Sequence, residues 1–115
     1  MRLDLHLHTT CSDGLLTPRE LVAAANAGGL DVVAVTDHDT AAGVAPARTA
    51  AAAAGGPRVI AGAELTCSLD GDEVHLLGYG IDPAHPAMDT FAARGADLRR
   101  ERLAEMVARL NALGV

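Results

Sequence analysis

The stretch Asp4-Leu5-His6-Leu7-His8-Thr9-Thr10-Cys11-Ser12-Asp13-Gly14 reads as a short strand running into a polar loop. Strand side chains alternate faces with period two, so Asp4, His6 and His8 share one face and Leu3, Leu5 and Leu7 the other. Two imidazoles at i and i+2 near a strand's end can grip one metal ion, and Asp13, a loop away, can close on the same centre. The arrangement recurs along the chain. Val35-Thr36-Asp37-His38-Asp39 and Val74-His75-Leu76 place two more of the five histidines in similar settings, and Ala61-Gly62-Ala63-Glu64 adds a carboxylate. The common pattern is an apolar strand with a ligand at its end.

The flanking sequence supplies the other elements. Residues 2–8 form the first expected strand. Thr17-Pro18-Arg19-Glu20 starts a helix: Thr17 caps it, Pro18 suits the first helical position and Glu20 completes a capping box. Gly28-Gly29 ends it. Val32-Val33-Ala34-Val35 is a continuous apolar run, as expected of a strand buried on both faces in a parallel sheet. Pro46 fits the first turn of a second helix with its body at 50–54, and Gly55-Gly56-Pro57 stops it. Arg58 to Thr66 is a third strand. Leu69-Asp70-Gly71-Asp72 predicts a turn, so a fourth strand at about 73–80 forms a hairpin with it. Residues 87–113 are expected to be helical, with a break near Gly95. This order predicts an α/β architecture with right-handed crossovers. In such folds active sites gather at the carboxyl ends of strands, and His6, His8, His38 and Glu64 all fall at or just past such ends.

Length and composition narrow the classes. The 115 residues allow one modest domain with a core. Half the residues are hydrophobic but only 2% are aromatic, so the core must be built from Ala, Val, Leu and Ile. A net charge of −6 argues against a protein that coats nucleic acid by charge alone. Cys11 and Cys67 lack paired-ligand spacing, so neither a disulfide framework nor a zinc ribbon is expected, and reduced thiols point to the cytoplasm. No signal-peptide pattern and no bilayer-length apolar run is evident, so no membrane partner is expected. The phosphate loop G-x-x-x-x-G-K-[ST], the zinc helix H-E-x-x-H and the G-x-S-x-G elbow are all missing. Cys11 reads as a small filler, Cys67 as buried packing and His85 as a solvated loop residue.

Mixed imidazole and carboxylate ligands suit Zn, Mn or Fe(II). A carboxylate such as Glu64 can bridge two ions roughly 3.5–4 Å apart, which form a clamp for phosphoryl transfer. In the last helix Leu103, Met106, Val107, Leu110 and Leu113 make an apolar stripe. Arg99 falls on that stripe, and Arg102 and Arg109 flank it. An arginine on an apolar face snorkels or meets a buried anion, and Arg99 or Arg102 is expected to face a substrate phosphate.

On these residues the sequence resembles the PHP (polymerase and histidinol phosphatase) family of metal-dependent phosphoesterases. The resemblance lies in Asp4 to Thr9 with Ser12-Asp13-Gly14, in Val35 to Thr40, in Gly62-Ala63-Glu64 and in His75 to Gly80. It implies the N-terminal portion of a distorted (β/α)7 barrel with two or three divalent ions (Mn, Zn or Fe) at the strand ends. It also implies metal ligands at His6, His8, Asp13, His38, Glu64 and His75, with Glu64 and His38 in catalytic roles. Ser12-Asp13-Gly-Leu-Leu-Thr-Pro-Arg-Glu-Leu-Val looks most like the TrpH-like branch, which includes nucleoside 3′,5′-bisphosphate phosphatases and a 5′-to-3′ exoribonuclease.

The expected reaction is therefore hydrolysis, by a metal-bound hydroxide, of phosphate esters of small nucleotides or of RNA 5′ ends. A histidinol-phosphate-type phosphatase and a non-catalytic metal-binding module are the alternatives. Residues 1–83 are expected to carry the metal motifs, and 84–115 a helical segment that begins an inserted subdomain. Family members supply further ligands, an Asp and a His among them, from later in the barrel. This chain ends before them, so a truncated barrel is expected, with self-association and lowered activity as consequences.

Overall fold

The computed structural model describes residues 1–115. The elements are β1 (Leu3–Leu7), α1 (Pro18–Ala27), β2 (Val32–Val35), α2 (Val44–Ala54), β3 (Arg58–Leu69), β4 (Asp72–Tyr79) and α3 (Pro86–Ala112). They make a mixed α/β unit around one four-stranded sheet of order β1-β2-β3-β4. β1, β2 and β3 run parallel and β4 returns antiparallel.

Local chemistry accounts for the boundaries. At the start of α1 the Thr17 hydroxyl accepts from the Glu20 amide at 3.3 Å, and the Glu20 carboxylate accepts from the Thr17 amide at 2.9 Å. α2 ends on Gly55 at φ 61°, a left-handed conformation that glycine adopts without a Cβ clash. Asp70 (φ 53°) and Gly71 (φ 93°) are both left-handed, the backbone a tight hairpin requires, and they join β3 to β4.

Val33 and Val35 of β2 and Val59 and Ala61 of β3 pack against Leu21, Val22 and Ala25 of α1 and Val44, Ala47 and Ala51 of α2. This core contains no aromatic residue; small side chains let the helices lie close on the sheet. All four residues of β2 are buried, as its unbroken apolar run predicts. Alternation turns Ala34, Gly62 and Glu64 to the other face. That face is concave: the Tyr79 hydroxyl at the end of β4 donates to the Leu5 carbonyl of β1 at 2.9 Å, joining the sheet's two outer strands.

Three expectations change in detail. β3 runs to Leu69 instead of stopping at Thr66, because the hairpin ladder carries it past its parallel partner. β1 spans Leu3–Leu7 instead of residues 2–8, and its pairing with β2 is irregular between Asp4 and Leu7. α3 passes through Gly95 without a break; one helical glycine costs about 1 kcal/mol relative to alanine, which the surrounding Ala, Arg and Leu residues offset. His85 is exposed and apart from the metal-ligand groups, as expected, and it has one task besides: its Nδ1 accepts from the Ala87 amide at 3.2 Å and caps α3. α3 buries none of its residues, and the stripe from Leu103 to Leu113 is exposed. No helix is long and apolar enough to cross a membrane.

Candidate metal centre

Glu64 stands on the concave face of β3 and is 5% exposed. Its Oε2 lies 2.9 Å from His6 Nε2, 2.9 Å from His8 Nε2 and 3.7 Å from His38 Nε2, while its Oε1 lies 3.1 Å from His75 Nδ1. Asp13 completes the ring, with Oδ1 2.8 Å from His8 Nδ1 and Oδ2 3.5 Å from His38 Nε2. The six residues picked out in the sequence therefore meet in one place. They fall into three overlapping groups: His6, His8 and Glu64; His8, Asp13 and His38; His38, Glu64 and His75.

The donor set fits divalent ions. Nitrogen and oxygen ligands sit about 2.0–2.2 Å from a metal such as zinc, so neighbouring donors in tetrahedral or octahedral shells lie roughly 2.8–3.6 Å apart. The separations above span 2.8–3.7 Å. His8, His38 and Glu64 each belong to two groups; of these only Glu64, with two carboxylate oxygens, suits two adjacent ions at once, because a neutral imidazole offers a single lone pair. The charge balance also suits cations. Burial pushes the Glu64 carboxyl up, but the His6 hydrogen bond and the charges of His38, His6 and His8 outweigh it and hold the group below its ordinary value. The His8 hydrogen bond does the same for Asp13, against a smaller opposing push from burial. Both carboxylates are thus ready to ligate at neutral pH.

Backbone pairing brings the ligands together. β1 carries His6 and His8. Past β2, the Asp37 carbonyl accepts from the Glu64 amide at 3.1 Å and the Asp39 amide donates to the Glu64 carbonyl at 2.9 Å, which sets His38 beside Glu64. β4 brings His75 in opposite Thr66. Gly62 permits this closeness: a Cβ there would stand 2.8 Å from Thr36 Cγ2 and 2.9 Å from the Gly78 carbonyl oxygen. Glu64 departs from the expected placement at a strand's end. It lies within β3, three residues past the last pair of the β2–β3 ladder, Val35 with Ala61.

Three supporting residues were not singled out in the sequence. Asp37 is fully buried without a cation partner; its carboxylate accepts from the Thr9 amide (2.6 Å), the Thr9 hydroxyl (2.8 Å) and the Ser12 hydroxyl (2.7 Å). It ties down the loop that bears Asp13. Asp39, buried and left-handed at φ 54°, accepts from the Thr66 amide at 2.8 Å and from Arg99 at 2.6 Å. The third is Glu73, which lies 3.4 Å from His75 Nε2 and accepts from Arg102 at 3.1 Å. The available signal was a run of acids beside ligands, with hydroxyl residues in the facing loop.

A cleft of about 950 Å³ separates the centre from α3. Asp13, His38 and His75 line one side, and Arg99 and Arg102 the other. Arg99 meets a buried anion, Asp39, as its place on an apolar stripe suggests. Cys11 is exposed and lines this cleft, so it is no interior filler, and Cys67 is only half-buried.

Comparison with known proteins bears on this arrangement. The family model described as the PHP domain matches residues 4–110. A 5′-3′ exoribonuclease of Haemophilus influenzae is 39% identical over 114 residues, covering 99% of this chain and 41% of that protein. A 3′,5′-nucleoside bisphosphate phosphatase of Chromobacterium violaceum is 42% identical over 113 residues, covering 98% of this chain and 39% of that protein. The crystal structure of a protein described as a metal-dependent phosphoesterase, from Bifidobacterium adolescentis, superposes with a TM-score of 0.83 at 37% identity, over 96% of this chain and 38% of that one. The chain thus spans about two fifths of the length of the curated relatives it matches.

Proposed function

This chain belongs to the PHP domain family, and we propose that it carries the metal-binding part of a phosphoesterase acting on phosphate esters of small nucleotides or on RNA 5′ ends. The observation that carries the reading is one buried carboxylate, Glu64, encircled by four imidazoles. The curled sheet supports reading this chain as the N-terminal portion of a (β/α)7 barrel, in which residues 1–83 would carry the ligands and the later helix would face them. Relatives that act on nucleic-acid phosphates support the substrate class.

Divalent ions, when bound, supply Lewis acidity to a phosphoryl oxygen and make water a better nucleophile. The residues of this chain do the rest. His6, His8 and Glu64 would hold one position and His38, Glu64 and His75 a second, while Asp13, grouped with His8 and His38, would add a carboxylate beside them. Glu64 belongs to both groups and would be the carboxylate common to them, with His38 beside it. Asp37 holds the Asp13 loop in register. Arg99 and Arg102 border the cleft where a substrate phosphate would lie, each steadied by a carboxylate. Manganese, zinc and iron(II) all suit this donor set.

The test is phosphate release from a nucleoside 3′,5′-bisphosphate with added manganese, with histidinol phosphate and a 5′-phosphorylated RNA in parallel. Chelator-sensitive release from the nucleotide or the RNA is expected. Release from histidinol phosphate alone would overturn the substrate class, and a protein that binds metal yet releases nothing would overturn the enzymatic reading.

A further inference from the structure

The cleft has two unlike walls, and the one opposite the metal centre is built for a purpose the ligands do not explain. Phe91, Gly95, Leu98 and Arg102 line it at i, i+4, i+7 and i+11, a single face of α3. The chain has one phenylalanine, and its core uses no aromatic residue at all. That phenylalanine stands on the cleft wall, 38% exposed. Three arginines share the wall. Arg99 is engaged by Asp39 and Arg102 by Glu73, whereas Arg94 has no carboxylate within 4.0 Å. A helix that buries nothing thus presents an open aromatic face and a free guanidinium one turn apart, both toward a metal centre across the cleft.

We propose that Phe91 and Arg94 receive the part of the substrate remote from the scissile phosphate: a flat nucleoside base on Phe91 and a second phosphate on Arg94. The proposal rests on the phosphoesterase reading above and adds which end of the substrate is recognised. Stacking explains an aromatic face left open to solvent, since every base offers a π-face to it. A guanidinium with no internal partner is the group suited to bidentate contact with a phosphate. The cleft, at about 950 Å³, falls within the range of small-ligand sites. A sugar phosphate without a base would leave Phe91 wet, and a nucleoside with one phosphate would leave Arg94 unpaired.

Binding can be measured calorimetrically on the full chain with EDTA present, so that no turnover intervenes. The probes are adenosine 3′,5′-bisphosphate, adenosine 3′-monophosphate and ribose 5-phosphate. Phe91→Ala is expected to weaken the bisphosphate by about tenfold, the loss that removing one stacking partner brings. Ribose 5-phosphate should bind as before, and Phe91→Tyr should restore the bisphosphate. Arg94→Gln is expected to weaken the bisphosphate by about tenfold and leave the monophosphate unchanged. Equal losses for ribose 5-phosphate and bisphosphate in Phe91→Ala, or no loss in either variant, would overturn the proposal. Failure of the bisphosphate to bind the unaltered chain would also overturn it. If manganese-supported phosphate release from another ester persisted, the broader reading would survive that failure.

Discussion

Removing the Asp37 carboxylate should loosen the loop that carries Asp13 and destabilise the fold. Asp37 is fully buried and faces no cation; three donors from Thr9 and Ser12 stabilise its charge at 2.6–2.8 Å. Hydrogen bonds to a charged group contribute about 1.5–3 kcal/mol each, and a stranded buried donor costs about 1–3 kcal/mol. Asp37→Ala removes all three bonds and strands the amide of Thr9, itself fully buried. Because contacts within one network do not add, the expected loss is about 3–5 kcal/mol rather than their sum. Asp37→Asn is milder. Its oxygen can still accept from the Thr9 amide and the Ser12 hydroxyl. Its amide nitrogen faces the Thr9 hydroxyl, which already accepts from Cys11 at 3.1 Å and must turn from donor to acceptor. Neutral bonds are roughly half as strong as charged ones, so about 1 kcal/mol is expected. With no tryptophan in the chain, urea unfolding is best followed by far-ultraviolet circular dichroism, comparing midpoints at constant slope. An alanine variant within about 1 kcal/mol of the unaltered chain, or an asparagine variant as damaged as the alanine one, would refute this account.

Other consequences are open to direct measurement. Glu64→Gln and His6→Ala should each lower manganese retained after dialysis by at least about tenfold, since mixed sites depend on the charge and number of their ligands; unchanged metal content would remove these residues from the centre. Manganese at about a hundred times its Kd should stabilise the chain by about 2.7 kcal/mol, and excess EDTA should abolish the rise in Tm; a Tm indifferent to both would contradict a metal centre. Glu20 gives a pH prediction. Its hydrogen bonds from the Thr17 hydroxyl and amide hold its carboxyl below the usual 4.5, so its contribution is present above that value and fades as pH falls through the lower folded value. The Tm gap between the unaltered chain and Glu20→Gln should accordingly close on acidification below pH 4.5, and a gap constant from pH 7 to pH 3 would refute the linkage.

The parts of this molecule legible in its sequence are those set by local rules. The capping box at Thr17 and Glu20, the buried run Val32–Val35 and the Asp70-Gly71 turn each carry their reason within a few residues. The histidines were legible for another cause. An imidazole in or just past an apolar strand is a poor choice for packing, and four such residues, with Glu64 and Asp13, share one purpose only if the strands bring them together. Tertiary pairing hid the remainder. Asp37 looks like an ordinary polar residue closing a strand until the loop from Thr9 to Ser12 folds over it. Glu64 reads as a strand-end residue because nothing local shows that β3 outruns its parallel neighbour to pair with β4.

α3 marks the limit of periodicity as a guide. Its stripe from Leu103 to Leu113 has the spacing of a buried face, yet every one of those residues is exposed here. The expected break at Gly95 does not occur, because a glycine's helical cost is small beside the propensities of a 27-residue helix. At its first turn α3 packs Met88 against the core; along the cleft long-range charge holds it, Arg99 on the buried Asp39 and Arg102 on Glu73, 60 and 29 residues away in sequence. The two pairs are unequal. Arg102 and Glu73 are both exposed, so theirs is the kind of pair that contributes little in salt. Asp39 is 5% exposed at its side chain, so losing Arg99 would leave a buried carboxylate supported by the Thr66 amide alone. Of the two charge contacts along the cleft wall the one beside His38 therefore matters more, and a change at Asp39 would reach the wall and the metal centre together.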